Sequence, residues 1–171
     1  MAFTFIVEDG TIVANANSYL TVEEATAILE IDDSQFAIWD PMTTEEKQKA
    51  LVRATLYLDD FYQWYGRRTE PTQPLKWPRS CMKDCEGNAI GENVMPVELK
   101  RATTYLAMWM RTNNATEQMD SVGVRRFRSE EVEIEWQDGY YGQTAPSFLT
   151  RYLICFGLGP GDRGFKPIIR K

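Results

Sequence analysis

The residues of this chain with the most chemical potential are paired carboxylates and a short run of arginines. Two aspartate pairs are adjacent in sequence, at residues 32–33 and 59–60. Acid–base catalysis by two carboxylates requires both side chains to converge on one substrate. Neighbouring residues on a helix point about 100° apart. The pair Asp59 and Asp60 therefore predicts a solvated helix face rather than a catalytic dyad.

Other catalytic and metal-binding signals are missing from the sequence. The chain has no histidine, the commonest general base and metal ligand. The glycine-rich segment 157–161 lacks the lysine of a phosphate-binding loop and follows a predicted helix. Cys81 and Cys85 flank a turn-like loop without the further ligands of a zinc site. We expect no enzymatic activity, no metal and no cofactor.

The cysteines and the start of the chain indicate the compartment. Three cysteines is an odd number, and residues 1–7 are too short and lack the basic flank of a secretory signal. Cys155 lies in an apolar helical pattern and is predicted to belong to the core. We therefore expect a reduced, cytosolic protein with free thiols.

A basic and aromatic run surrounds Phe127. Its arginines are Arg125, Arg126 and Arg128. Cations with an interleaved ring suit single-stranded nucleic acid, because bases stack on the ring. The alternative, which we favour, is ion pairing within a β-hairpin over residues 122–136.

Apolar residues alternate with glutamates directly after this run, which is the period of a half-buried strand. The glutamates are Glu131, Glu133 and Glu135. A turn at residues 129–130 places Arg128 opposite Glu131. The same register pairs Arg126 with Glu133. Opposite charges across a strand pair contribute about 0.2–1 kcal/mol each.

Two capping boxes mark the starts of helices that must position these residues. In a capping box, a threonine accepts from a free backbone N–H and a glutamate three residues later reaches back. Thr21 with Glu24 predicts a helix that runs to residue 29 or 30. Thr43 with Glu46 predicts a long helix over residues 44–65.

Turn residues divide the rest of the chain. Residues 31–42 are acidic and contain Asp-Pro, which predicts a loop. Gly66 is the predicted C-terminal stop of the long helix, and a long loop follows over residues 66–95. Further helices are predicted from Pro96 to about residue 112 and from about Pro146.

These elements predict a mainly α fold of about four helices in a small bundle. We expect one domain over residues 1–156, including the hairpin, and an extended tail over residues 157–171. The tail is basic and carries apolar side chains, which is typical of a docking peptide; a frayed terminus is the alternative. Its predicted docking residues are Phe165, Lys166, Ile168, Ile169 and Arg170.

Charge is distributed unevenly along the chain. Residues 1–60 hold twelve acids and three bases, whereas residues 61–171 hold thirteen acids and sixteen bases. The net charge of −6 argues against a simple nucleic-acid-binding protein. The uneven distribution suits a subunit that packs head to tail; a plain mixed surface is the alternative. No segment approaches the roughly 20 apolar residues of a membrane helix, so we expect no membrane partner.

Several motifs follow one another along residues 5–156 in a distinctive order. They are Val7-Glu8-Asp9-Gly10, Ala16-Asn17-Ser18-Tyr19, Glu23-Glu24-Ala25, the corner 75–79, the loop 84–87, the helix 96–107 and the hairpin 126–136. In order and spacing they resemble the head–tail connector proteins of tailed phages. That family often carries the label "DnaT-like single-stranded DNA-binding".

The resemblance implies a mostly helical subunit that forms a ring, commonly of twelve copies, beneath the phage portal. The implied partners are the portal protein, neighbouring copies, a tail or stopper protein, and genomic double-stranded DNA that passes through the lumen without sequence-specific contact. The implied location is the virion, after synthesis in the host cytoplasm. The alternative is a single-stranded DNA-binding replication accessory protein, which requires a basic groove with stacking aromatics.

Two further sets of site residues are expected for such a ring. The central corner is expected to form an interface between subunits through Trp77, Pro78 and Arg79. The residues expected in the lumen or the hairpin are Arg125, Arg126, Arg128, Glu131, Glu133 and Glu135. Acidic groups that face a lumen keep DNA from adhering, because like charges repel.

Overall fold

A computed structural model describes residues 3–112, 126–129, 132–135 and 146–159. Within these ranges the chain forms five helices: α1 (Val22–Leu29), α2 (Asp33–Trp39), α3 (Thr44–Phe61), α4 (Val97–Thr112) and α5 (Ser147–Leu153). The fold is mainly α, as predicted from the sequence.

Short strands connect and brace the helices. They are β1 (Gln63–Trp64), β2 (Arg67–Arg68), β3 (Arg79–Ser80), β4 (Met82–Lys83), β5 (Ala89–Ile90), β6 (Arg126–Ser129), β7 (Val132–Glu135) and β8 (Gly157–Leu158). They form four antiparallel pairs, β1–β8, β2–β3, β4–β5 and β6–β7. The predicted loop over residues 66–95 therefore contains four of these strands.

Both predicted capping boxes are confirmed. The Thr21 hydroxyl accepts from the Glu24 N–H at 3.1 Å, and the Glu24 carboxylate accepts from the Thr21 N–H at 2.9 Å. Thr43 and Glu46 make the same reciprocal pair at 3.3 and 2.8 Å. Each box satisfies backbone donors that a helix start would otherwise leave without partners.

The prediction of a loop over residues 31–42 is wrong, because α2 lies within it. Asp32 is its N-cap, and its carboxylate accepts from the backbone N–H groups of Ser34 and Gln35 at 3.1 and 3.3 Å. At its other end Trp39 is buried and donates from its indole N–H to the Thr26 hydroxyl of α1 at 2.9 Å. The acidic composition of this segment concealed a capping signal and a core residue.

The long helix α3 ends at Phe61 rather than at residue 65. Tyr62 is extended, with φ −92° and ψ 135°, and Trp64 continues into β1, where it pairs with Gly157 of β8. Gly66 lies in the turn between β1 and β2 with φ +61°, so it is a turn residue and not a helix stop. Gln63 and Trp64 therefore pair with a distant strand, although the spacing of apolar residues in the sequence predicts that the helix continues to residue 65.

That pairing involves the first residues of the predicted tail. Gly157 and Leu158 form β8 and pair with Trp64 and Gln63 of β1. Gly159 is buried as well, with the Tyr62 ring beside it. The predicted docking residues from Phe165 to Arg170 lie outside the described residues.

The core is assembled mainly by the helices, with α4 packed between α3, α5 and α1. Its largest fully buried side chains are Trp39, Trp77, Tyr19, Phe156, Leu20, Leu29, Leu51, Leu58, Leu99, Leu106, Leu149 and Leu153. At its edge an ion pair of 2.5 Å joins Lys100 of α4 to Glu24 of α1. No helix among the described residues is long and apolar enough to cross a membrane.

The expectation of free thiols is wrong for two of the three cysteines. Cys85 and Cys155 form a disulfide across 70 residues, with Cα atoms 5.3 Å apart. Only Cys81 is free, and it is exposed. The pairing depends on a tertiary approach between the turn after β4 and the end of α5, which residue spacing does not reveal.

The predicted hairpin is confirmed, with a different register. Arg128 lies opposite Glu133, and Arg126 lies opposite Glu135. The register predicted from a turn at residues 129–130 is therefore wrong by two positions. The ladder extends to the pair of Ser129 and Val132, which leaves two residues for the connection, the commonest hairpin length. Arg125 and Glu131 lie outside the described residues.

Candidate interaction site at the end of α3

A concave site lies where α3 ends. It is an open groove with a volume of about 390 Å³, here called the α3 groove. Its lining residues are Asp60, Phe61, Tyr62, Gln63, Trp64, Arg68, Lys76 and Arg79. They come from the end of α3, from β1, β2 and β3, and from the corner that precedes β3.

A chain of aromatic rings supports the α3 groove from below. Tyr62 stacks on Trp64 with ring centroids 5.4 Å apart. Trp64 meets Trp77 edge-on at 5.8 Å, and Trp77 meets Phe156 edge-on at 5.9 Å. These rings are buried, and edge-to-face pairs add to the energy of area burial. The groove therefore has a rigid floor.

A buried carboxylate anchors the corner to α3. Asp59 accepts from the Tyr19 hydroxyl and, at 2.9 Å, from the Lys76 backbone N–H. The Lys76 ammonium also donates to the Asp59 carbonyl. Burial raises the pKa of Asp59, and the bonds from Tyr19 and Lys76 oppose that rise. Burial and the nearby Asp59 charge raise the pKa of Tyr19 well above its usual value.

The predicted solvated face is therefore wrong for Asp59 and right for Asp60. Asp59 is buried, whereas Asp60 is exposed at the rim of the α3 groove. The two carboxylates diverge, as expected for neighbouring positions on a helix. The sequence alone did not reveal Tyr19, whose hydroxyl reaches Asp59 from 40 residues away.

Arg79 fixes one wall of the groove. Its guanidinium donates to three backbone carbonyls: Tyr65 at 2.6 Å, Lys76 at 3.0 Å and Gly66 at 3.1 Å. Burial lowers the pKa of Arg79, and the charge of the neighbouring Arg68 adds to that effect. Because its guanidinium binds these three carbonyls, Arg79 fixes the backbone at Lys76 relative to the turn at residues 65–66.

The residues predicted to form an interface between subunits lie inside the chain. Trp77, Pro78 and Arg79 are all buried, since the corner folds onto the end of α3. The Gln73 side chain closes this corner by donating to the Leu75 and Pro78 carbonyls, each at 2.9 Å. The structure gives these residues an internal packing role, and their part in an interface stays a prediction.

The accessible charges of the groove are mainly cationic. Arg68 is exposed and Lys76 is half-buried, while the carboxylate of Asp60 lies at the rim. Beyond the rim, Arg67 and Tyr65 are also exposed. This arrangement suits an anionic group, such as a carboxylate or a phosphate, held beside aromatic carbon. The helical spacing that predicts a helix to residue 65 concealed this site, because the chain leaves the helix at Tyr62.

Charged side chains of both signs lie at the other end of α3. The exposed acids there are Asp40, Glu45 and Glu46, and the bases Lys49 and Arg111 lie near Glu46. Lys47 links the end of α2 to this end of α3, since its ammonium donates to the Asp40 carbonyl at 3.2 Å and lies 5.5 Å from the Trp39 ring centroid. From Lys47 to Asp60 the helix rises about 20 Å. The start of α3 and the α3 groove are therefore well separated.

Comparison with known proteins assigns this chain to a family. A family profile described as "Putative DnaT-like ssDNA binding protein" matches residues 3–165. Searches of curated proteins and of solved structures found no match. The matched region includes all five described helices and the α3 groove. Because the match covers nearly the whole chain, this protein belongs to the DnaT-like family.

Proposed function

We propose that this protein is a head–tail connector of a tailed phage, a virion subunit that forms a ring on the portal and receives the tail or a stopper protein. The observation that supports this function most is the separation of charge between the first third of the chain and the α3 groove. Residues 1–60 hold twelve acids and three bases, whereas three of the four charged residues that line the groove are basic. Surfaces that differ in this way favour head-to-tail contacts, which generate a ring when the rotation closes.

The overall charge fits a ring through which DNA passes. The chain carries a net charge of −6, concentrated in residues 1–60. Acidic groups that line a lumen would repel the phosphates of the duplex and keep it from adhering during passage. We assign this lining to some of the hairpin glutamates, Glu131, Glu133 and Glu135, or to the acidic N-terminal third.

The C-terminal segment is the proposed portal-docking element. The described chain ends with Gly159 packed against Tyr62, so the segment that follows starts beside the α3 groove. It contains basic and apolar residues that suit docking on another protein. The proposed contacts are Phe165, Lys166, Ile168, Ile169 and Arg170.

Co-sedimentation with purified portal rings tests this function. The wild-type protein should sediment with the portal, and deletion of residues 160–171 should abolish that binding. The deletion starts after Gly159 because removal of β8 would disturb the fold. Urea unfolding of the truncated protein controls for loss of structure. Undiminished portal binding by a folded truncated protein would refute docking through the tail.

A second candidate function is single-stranded DNA binding in replication. The family description and the cations and rings of the α3 groove favour it. Stacking on aromatic rings beside cations is the usual chemistry of such proteins. A labelled oligonucleotide tests this candidate, because binding should be tight and should weaken steeply with salt. Under the connector proposal, no such binding is expected.

A further inference from the structure

We infer that the α3 groove binds a second copy of this chain, and that the bound element is the acidic corner between α1 and α2. Here the acidic corner means residues 30–33. This inference rests on the proposed ring and identifies the contact that joins its subunits. It follows from the shape, charge and exposure of the two surfaces.

The acidic corner presents an apolar side chain among carboxylates. Ile31 is 85% exposed, the largest value among the exposed large apolar side chains described. Glu30 and Asp33 on either side of it are also exposed. An apolar residue surrounded by charges of one sign is suited to insertion into a pocket with the opposite charge at its rim.

The α3 groove offers the complementary features. Phe61 supplies half-buried aromatic carbon and Arg68 supplies an exposed cation. The half-buried Lys76 adds a second cation whose ammonium also donates to the Asp59 carbonyl, and Asp60 lies at the rim. The wall near Arg79 is fixed by three carbonyl contacts before any partner binds. A site that is already ordered loses little conformational entropy on binding. An isoleucine between two carboxylates is therefore complementary to this groove in apolar character and in charge.

The corner and the groove belong to different copies in this contact. Trp39 is bonded to Thr26, so the end of α2 is held against α1. Ile31 is 85% exposed in the single chain, so the acidic corner does not fill the groove of its own copy. The contact is heterologous, because each copy uses one surface to bind and offers the other to the next copy.

The chain's own C-terminal segment is a poor occupant of the groove. Residues 160–171 hold four basic residues and one acidic residue. Their net positive charge is of the same sign as Arg68 and Lys76 in the groove. Like charges in one site repel. The segment is therefore left to contact a different protein, which agrees with its proposed docking on the portal.

Isotope-mixed crosslinking tests the contact directly. Unlabelled and ¹⁵N-labelled proteins are mixed, treated with a zero-length carbodiimide that joins amines to carboxylates, and analysed by mass spectrometry. We expect mixed-isotope peptides that join Lys76 to Glu30 or Asp33. The ion pair between Lys49 and Glu45, 2.5 Å apart on one helix, should give single-isotope links and serves as the internal control.

Charge variants identify the groove as the receiver. Arg68→Glu should reduce the mixed-isotope links several-fold, whereas Lys83→Glu, at an exposed base on β4, should leave them unchanged. Adding Asp33→Arg to Arg68→Glu should restore the links, because it returns the charges to opposite signs. Urea unfolding of each variant shows that the fold persists.

Three results would overturn the inference. Mixed-isotope links could be absent at Lys76 while the control link forms, or could persist in folded Arg68→Glu. Alternatively, Arg68→Glu could abolish oligonucleotide binding, which would make nucleic acid the occupant. If wild type and Arg68→Glu bind the portal equally as rings, the proposed function stands and this contact fails. Links in wild type without any portal association would uphold the contact and refute the connector function.

Discussion

The two ends of α3 are specified in different ways. At the N-terminal end, Thr43 and Glu46 form a capping box and Glu45 pairs with Lys49, all within seven residues. At the C-terminal end, the partners come from the whole chain, since Tyr19 reaches Asp59 and β8 pairs with β1. The contrast shows that contacts between residues close in sequence fix the start of α3, whereas packing between distant segments forms the α3 groove.

The largest expected effect lies at the C-terminal end. Trp77 is fully buried and contacts the Trp64 and Phe156 rings. Trp77→Ala should lower the free energy of unfolding by about 3–5 kcal/mol, because it leaves a cavity in the aromatic floor. Urea denaturation measures this loss. Tyr65→Ala, at a side chain 45% exposed, is the matched control and should cost about 0.5 kcal/mol or less.

A similar loss in both variants would contradict the contrast between the ends. It would mean that the buried ring cluster next to the α3 groove contributes no more stability than an exposed aromatic side chain outside the groove.

A smaller loss is expected for Tyr19→Phe. The change removes the donor to buried Asp59 and should lower the free energy of unfolding by about 1–3 kcal/mol at neutral pH. Because the Tyr19 bond lowers the pKa of Asp59, its loss raises that pKa further. The substitution destabilises the ionised form of Asp59. The loss in free energy of unfolding should therefore become smaller as pH falls through the folded-state pKa of Asp59.

Urea denaturation of both proteins at neutral pH and near the ordinary carboxyl pKa checks this pH dependence. In wild type, burial raises the folded-state pKa of Asp59, so this group adds stability as pH falls toward its ordinary pKa. A destabilisation by Tyr19→Phe that stays constant with pH would show that Asp59 is not the group affected.

The N-terminal end of α3 should tolerate change better. Thr43→Ala removes the capping hydroxyl and should cost about 0.5–2 kcal/mol. Thr43→Ser keeps the hydroxyl and is the matched control. Thermal unfolding followed by circular dichroism compares the three proteins. A loss as large as that of Trp77→Ala would show that this end also depends on tertiary contacts.

The smallest effect on stability is expected in the hairpin, away from both ends of α3. Changing Glu131, Glu133 and Glu135 to Gln should alter DNA retention or ejection in assembled particles without preventing ring formation. Changing Glu23, Glu86 and Glu92 to Gln removes three exposed acids elsewhere and serves as the control. Failure of the hairpin variant to form a ring would contradict a role limited to the lumen.

The contrast between the ends also explains which features the sequence could predict. The capping boxes, α4 and the existence of the hairpin depend on residues close together in the chain and were predicted correctly, whereas the hairpin register was predicted two positions away. α2 was missed because its acidic residues resemble a loop, although Asp32 caps it and Trp39 enters the core.

The α3 groove could not be predicted from residue spacing. Its floor requires Phe156 beside Trp77, and its corner requires Asp59 beside Lys76. The disulfide between Cys85 and Cys155 could not be predicted from residue spacing either, since it joins segments 70 residues apart. Each pair is brought together by packing of the helices, and no local pattern encodes it.

Negative-stain imaging of purified portal rings, alone and after addition of this protein, tests the central claim most directly. A labelled oligonucleotide binding assay runs in parallel on the same preparation. The connector proposal predicts a new ring of density on the portal and no oligonucleotide binding. Tight, salt-sensitive oligonucleotide binding without any added density on the portal would contradict it and would favour the single-stranded DNA-binding function.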